Sequence, residues 1–177
     1  MHNHKAFTSA KGEICSGTVF SMYFPVLLKT KRVLLAIEPK DAMNLTKRIM
    51  LIDDDPDDQL FFRDAVLTLR PDLQCELASS CMEALKQLEE LHPDLIFLDL
   101  NMPVMNGFDC LAYLKNKSEL RDIPVIIFTT SKTQSDINRT RQLGASWFMT
   151  KPNDFNVLCK KLNKIIHKDS LEGEFMI

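Results

Sequence analysis

From Arg48 onward the chain switches five times between a short apolar run and a longer stretch whose apolar residues recur at helical spacing, and this alternation restricts the fold more than any other feature. The apolar runs are Arg48–Asp53 (RIMLID), Leu95–Asp99 (LIFLD), Pro124–Phe128 (PVIIF) and the short Trp147–Met149, with the length and side chains of buried strands, and Gln74–Ala78 reads as a second, more polar strand between the first two. Between them, Gln59–Arg70 places Phe62, Ala65, Val66 and Leu69 on one helical face and stops before Pro71. Ser80 and Glu83 have the spacing of a capping box for a helix carrying Ala84, Leu85, Leu88 and Leu91. Gly107–Lys115 is a short helix, Ser135–Leu143 a polar one closed by Gly144, and Phe155, Leu158, Leu162 and Ile165 form the stripe of a last helix.

Strands that alternate with helices predict an α/β fold, a parallel sheet covered on both faces, because each crossover helix packs back right-handed onto the sheet. Ligands of such sheets sit beyond the carboxyl ends of the strands. Those ends hold Asp53, Asp54 and Asp55 after the first strand, Asp99 after the third, Thr129 and Thr130 after the fourth, and Lys151 after the fifth. Clustered carboxylates repel one another unless protons or a divalent cation neutralise them, and oxygen ligands without His or Cys suit Mg²⁺. A carboxylate can also act as nucleophile toward phosphorus, and phosphoryl transfer needs a metal, a cation and hydrogen-bond donors around the transferred oxygens. Asp54, Lys151 and Thr129 supply those parts around Asp99.

The stretches IMLIDDDPDD, LIFLDLNMPVMNG, PVIIFTTS and GASWFMTKP, with the closing helix, together resemble the receiver domain of bacterial two-component response regulators. The resemblance runs from about Lys47 to Lys168 and implies a flavodoxin-like, doubly wound sheet of five parallel strands in the order 2-1-3-4-5 with five helices. It implies Asp99 as phosphoacceptor, and Mg²⁺ held by Asp53, Asp54, Asp99 and the main-chain carbonyl of Asn101. Thr129 resembles the switch hydroxyl, Lys151 the cation that pairs with the phosphoryl group, and Phe148 the switch aromatic; Pro103 and Gly107 match the turn after the acceptor. One departure is Thr130, bulkier than the Ala, Gly or Ser usual there. Asp57 and Asp58 are surplus to the acid pair and read as favourable charges at the start of the first helix. Trp147, beside the switch aromatic, reads as a packed or half-exposed strand residue. The resemblance further implies a non-enzyme that catalyses only its own phosphorylation and dephosphorylation, a histidine kinase or phosphotransfer protein as donor, and a phosphorylation-dependent change or homodimer at the fourth helix, fifth strand and fifth helix. A metal-dependent aspartyl phosphatase is the competing enzyme class, since Asp53–Asp55 contains its D-x-D spacing. An unphosphorylated pseudo-receiver is a third.

Charge separates the remainder from this region. Residues 1–42 carry a net +3, with six Lys or Arg against three acids, whereas the rest carries -5, with 16 against 21. A total of -2 argues against non-specific nucleic-acid binding. The uncharged run Ile14–Leu28 is shorter than the roughly 20 residues that span a bilayer, and no small-x-small cleavage site follows it. Residues 1–46 are expected to be a leader, disordered or translated from an early start with Met43 as the true one, followed by a receiver over 47–168 and a tail over 169–177. No membrane or nucleic-acid partner is expected. Five cysteines without C-x-x-C spacing argue against disulfides and zinc, and fit five unpaired thiols in a cytoplasmic protein.

Overall fold

The computed structural model describes residues 48–166 and 175–176; the leader and the candidate start at Met43 lie outside the described residues. The chain runs β1 (Arg48–Ile52), α1 (Pro56–Leu69), β2 (Gln74–Ala78), α2 (Cys81–Gln87), β3 (Leu95–Leu98), α3 (Gly107–Asn116), β4 (Val125–Thr129), α4 (Gln134–Gln142), β5 (Trp147–Thr150) and α5 (Phe155–Ile166). All strand pairs are parallel, in the order β2-β1-β3-β4-β5. This is the expected doubly wound topology.

Alternation along the strands divides the core into two layers. Met50, Ile52, Ile96, Leu98, Val125, Ile127 and Phe148 face the side covered by α2, α3 and α4, together with Ala84, Leu111, Leu114 and Ile137. Ile49, Leu51, Leu95, Phe97, Ile126, Phe128 and Met149 face the side covered by α1 and α5. On this second side Phe62 of α1 meets Phe97 at 4.7 Å and Phe128 at 5.4 Å between ring centroids. Such tilted contacts contribute about 0.5–1.5 kcal/mol each beyond area burial and pin α1 across β3 and β4. The four residues Leu158, Leu162, Ile165 and Ile166 seat α5. Three of them belong to the expected stripe.

Local chemistry moves several element boundaries from their expected places. α1 begins at Pro56, before its apolar stripe, because the Asp55 carboxylate accepts from the Asp57 and Asp58 amides and Pro56 occupies the first turn, where no N–H is needed. α2 stops at Gln87; Ser80 caps it through the Glu83 amide, while Glu83 reaches back to the Ser79 amide. α4 ends as expected: Leu143 is its cap, and Gly144 follows with φ 92°, where a side chain is strained.

The expectation of five unpaired thiols is corrected. Cys81 at the start of α2 and Cys110 in α3 form a disulfide, with Cα atoms 5.8 Å apart, in the buried layer between the two helices. They are 29 residues apart in sequence and no local spacing marks them. Cys75 and Cys159 are free and half-buried, and Cys15 lies outside the described residues.

Candidate functional site

Strand register brings the strand-end residues together. Ile52 of β1 is level with both Ala78 of β2 and Leu98 of β3, so Asp53 and Asp99 follow side by side. Main-chain bonds continue the ladders one step further, from the Asp53 amide to the Ala78 carbonyl at 3.0 Å and from the Asp99 amide to the Ile52 carbonyl at 2.9 Å. On the other side Thr129 is level with Thr150, and the Lys151 amide donates to the Thr129 carbonyl at 2.8 Å. The site is therefore a product of sheet register, with each functional side chain at or just past the last paired residue.

Carboxylate oxygens of Asp53, Asp54 and Asp99 all lie within 4.8 Å of one another. Asp53 and Asp99 are buried and Asp54 is exposed at the mouth. The Lys151 ammonium reaches among them, 2.8 Å from Asp53, 3.7 Å from Asp99 and 2.6 Å from Asp58. It also stands 5.6 Å from the centroid of the Phe128 ring. Asp99 is oriented by the Leu100 amide, which donates to its Oδ1 at 2.8 Å, leaving Oδ2 toward Lys151. Thr129 is fully buried; its hydroxyl oxygen accepts from the Asn101 side-chain amide and from the Ser131 amide, both at 3.4 Å. Phe148 lies two positions before Thr150 along β5, level with Ile127, and is also fully buried. Thr130 is exposed, with its hydroxyl 3.5 Å from the Asn101 amide nitrogen, at the rim.

Burial pushes the Asp53 carboxyl up to about 6, and the hydrogen bond and charge of Lys151 offset only part of that rise. Burial works against the Lys151 ammonium as well, but hydrogen bonds to Asp53 and Asp58 and the charges of Asp53 and Asp99 outweigh it and hold its pKa above the ordinary lysine range. Lys151 is thus a permanent cation in an acidic pocket. Asp53 Oδ2 is fully buried, with the Lys151 ammonium 2.8 Å away. A buried carboxylate beside two further carboxylates offers hard oxygen ligands of the kind a divalent cation takes. The donor set fits such an ion.

Two residues differ from their sequence reading. Asp58 was expected to serve only the helix start, yet it forms the shortest of the three ion contacts to Lys151. Its place in the first turn of α1 brings it to Lys151, a pairing that no spacing in the sequence marks. Asp55, the second acid of the D-x-D spacing, is turned away as the cap of α1. It does not join the carboxylate group.

The loop after Asp99 is tight. Val104 has φ 67°, strained for a β-branched residue, and the Met105 amide closes back onto the Pro103 carbonyl at 2.8 Å. Gly107 then starts α3 hard against the Asp99 main chain, its amide donating to the Leu100 carbonyl at 3.0 Å.

Comparison with known proteins agrees with this arrangement. Residues 49–163 match the response regulator receiver domain family, a span from β1 into α5. The polar-differentiation response regulator DivK of Brucella abortus is 34% identical over 108 residues, which cover 61% of this chain and 86% of DivK. Response regulator Rcp1 of Synechocystis is 28% identical over 132 residues, 71% of this chain and 90% of Rcp1. Among solved structures, the phosphorylated cyanobacterial phytochrome response regulator RcpA superposes with a TM-score of 0.63 at 28% identity, covering 68% of this chain and 91% of RcpA. The Mn²⁺-bound form of Rcp1 gives 0.62 at 28% identity, covering 72% and 96%. Sheet order, acidic strand ends and a match spanning β1 to α5 lead to one assignment: this chain belongs to the response regulator receiver domain family of two-component systems.

Proposed function

We propose that Asp99 accepts a phosphoryl group from a histidine kinase or a phosphotransfer protein, and that Thr129 and Phe148 pass the resulting change to β5, α4 and α5. The observation that carries this reading is the grouping of the Asp53, Asp54 and Asp99 carboxylates within 4.8 Å around a buried lysine. Asp53, Asp54, Asp99 and the main-chain carbonyl of Asn101 would hold Mg²⁺, whose charge lets an anionic phosphoryl group approach the acids. The solved Mn²⁺-bound form of Rcp1 and phosphorylated form of RcpA support this reading by similarity.

In the transfer, an Asp99 carboxylate oxygen attacks phosphorus of the donor. The P–N bond of a phosphohistidine, or the P–O bond of a small acyl phosphate, breaks with its electron pair leaving on the donor, and a new P–O bond forms to Asp99. The Leu100 amide on Oδ1 holds the carboxylate with Oδ2 toward Lys151. Lys151, always charged, balances part of the negative charge that arrives. The Thr129 hydroxyl, held by bonds at the long limit of 3.4 Å, is weakly tethered and able to turn to a phosphoryl oxygen. The only chemistry assigned is the domain's own phosphorylation and dephosphorylation, in the cytoplasm. Among the described residues no helix is long and apolar enough to cross a membrane.

Intact-mass measurement with acetyl phosphate and Mg²⁺ tests the reading. One added phosphoryl group is expected on the full chain and none on Asp99→Asn; Asp54→Ala or excess EDTA should suppress labelling. Equal labelling of Asp99→Asn, or equal rates in EDTA, overturns it.

A further inference from the structure

The disulfide between Cys81 and Cys110 ties the start of α2 to α3 with Cα atoms 5.8 Å apart, a separation suited to this bond. The covalent ring it closes contains β3 and the loop that follows it: Asp99, Asn101, the positive-φ Val104, and Gly107 hard against the Asp99 main chain. Leu100 and Met102 of that loop are buried in the same layer as the two cysteines. Cys110 lies one turn beyond Gly107 in α3, so a bond at Cys110 anchors the helix whose first residue abuts the end of the acceptor strand.

Compartment and access both point to a bond that opens and closes. In the cytoplasm proposed above, thiol reductants keep most cysteines reduced, and the disulfides that form there are mostly transient or redox-sensing. Cys81 is 1% and Cys110 0% exposed, so exchange with a small thiol needs local opening. α2 is the shortest of the described helices, and Met82, next to Cys81, is exposed. Such an element opens at lower cost than α3, which Leu111 and Leu114 seat in the core. Burial pushes the Cys75 thiol up to about 12 and raises Cys159 as well, so neither is an activated thiolate that competes for the pairing.

We propose that Cys81 and Cys110 are a reversible oxidation site, served by a small disulfide of the glutathione class, whose pairing restrains the loop after Asp99. One cysteine thiolate attacks a sulfur of glutathione disulfide, breaking its S–S bond and releasing one glutathione thiolate; the second attacks the protein sulfur of the mixed disulfide, forming the Cys81–Cys110 bond and releasing the other. The two thiol protons go to the two released glutathiones. The protein loses two electrons and glutathione disulfide gains them, and excess reduced glutathione reverses both steps. The inference rests on the proposed role of Asp99 only for its effect on labelling; pairing and loop mobility are read without phosphorylation.

The test equilibrates the full chain in glutathione disulfide or in reduced glutathione, followed by acid quenching, alkylation and digestion. A cross-linked Cys81–Cys110 peptide pair is expected from the first and two alkylated peptides from the second. Amides of residues 100–107 should exchange with solvent at least fivefold faster in the reduced chain, and acetyl phosphate with Mg²⁺ should label Asp99 at least threefold more slowly. Cys81→Ala and Cys110→Ala should each remove the difference between the two buffers, whereas the double variant Cys75→Ala, Cys159→Ala should keep it. Should Cys110→Ala lose its fold by circular dichroism, Cys81→Ala and the unaltered chain in the two buffers carry the same comparison. No cross-link in glutathione disulfide, a cross-link that excess reduced glutathione leaves intact, or equal loop exchange or equal labelling in the two states would overturn the proposal. A chain that cross-links and shows the exchange difference but is labelled in neither state would support the pairing and count against Asp99 as acceptor.

Discussion

Gly107→Ala tests whether the acceptor is positioned by main-chain packing. A Cβ built at Gly107 would stand 2.1 Å from the Asp99 carbonyl oxygen, 2.6 Å from the Leu100 Cα and 2.9 Å from the Asp99 carbonyl carbon. All three are backbone atoms, so no side chain can rotate away. Relief requires the strand end bearing Asp99 to retreat from α3 by about 1 Å or more, in a core that packs like a solid. Overpacking of this kind costs about 1–3 kcal/mol, and obstruction by backbone puts this case at about 3. For a domain of this size the thermal midpoint should fall by about 10 °C. Displacing the nucleophile by about 1 Å should also slow labelling of Asp99 by about 100-fold. Differential scanning fluorimetry and intact-mass time courses read the two effects. Gly144→Ala is the control: it takes a side chain into positive φ, but its new Cβ meets only the Lys115 side chain at 3.4 Å. It should cost about 1 kcal/mol and leave the labelling rate unchanged. A Gly107→Ala protein with unaltered midpoint and unaltered labelling would refute the idea that this contact places the acceptor.

Three further outcomes are expected. The Asp53 pKa is raised in the folded state, to about 6, so folding binds a proton there that the unfolded chain releases near 3.8. Metal-free stability should thus be greatest for this group below pH 4 and fall by about 3 kcal/mol in all as pH rises through 6; denaturant titrations of Asp53→Asn lacking that slope would agree, and identical slopes would contradict it. Asp58→Asn removes a competitor for Lys151 from a partly exposed pair worth about 1 kcal/mol, so labelling of Asp99 should proceed at an equal or up to about fivefold higher rate. A clearly slower rate would mean that Asp58 assists the transfer instead. Thr129→Ala should still be labelled, but the phosphorylation-dependent change in amide exchange along β5 and α5 should shrink, since coupling between sites is typically about 1–3 kcal/mol; an undiminished change would remove Thr129 from the switch.

The strand ends were legible because two independent patterns coincide at them. An apolar run identifies a buried strand, and the first polar residue after it must leave the core at the rim where ligands sit. That logic reaches Asp53 and Asp99, and comes within one residue of Lys151, without any knowledge of register, and the described register brings them together. Boundaries were less legible where a cap competes with the apolar stripe. Gln59 is near the first residue of α1 with a periodic pattern, but the helix starts three residues earlier, since Asp55 and Pro56 satisfy its first turn without any apolar contact. Pro124 was read into β4, yet it offers the ladder only its carbonyl, to the Ile96 amide, and the regular strand begins one residue later and runs through Thr129.

What sequence could not supply are pairings between surfaces that carry no periodicity. Asp58 and Lys151 are 93 residues apart, and their contact depends on the angle at which α1 leaves the sheet, which is set by Phe62 packing on Phe97 and Phe128. Cys81 and Cys110 meet because two crossover helices lie side by side on one face, a consequence of the order in which strands join the sheet. Phe175 and Met176 form too short an apolar pair, after an acidic stretch, to read as a strand; only an edge already made by β5 gives them a partner. In each case the missing information is a relative orientation, fixed by the core and not by the residues that meet. The acidic rim follows from where each strand stops, whereas the contacts around it follow from how the helices are laid over the sheet.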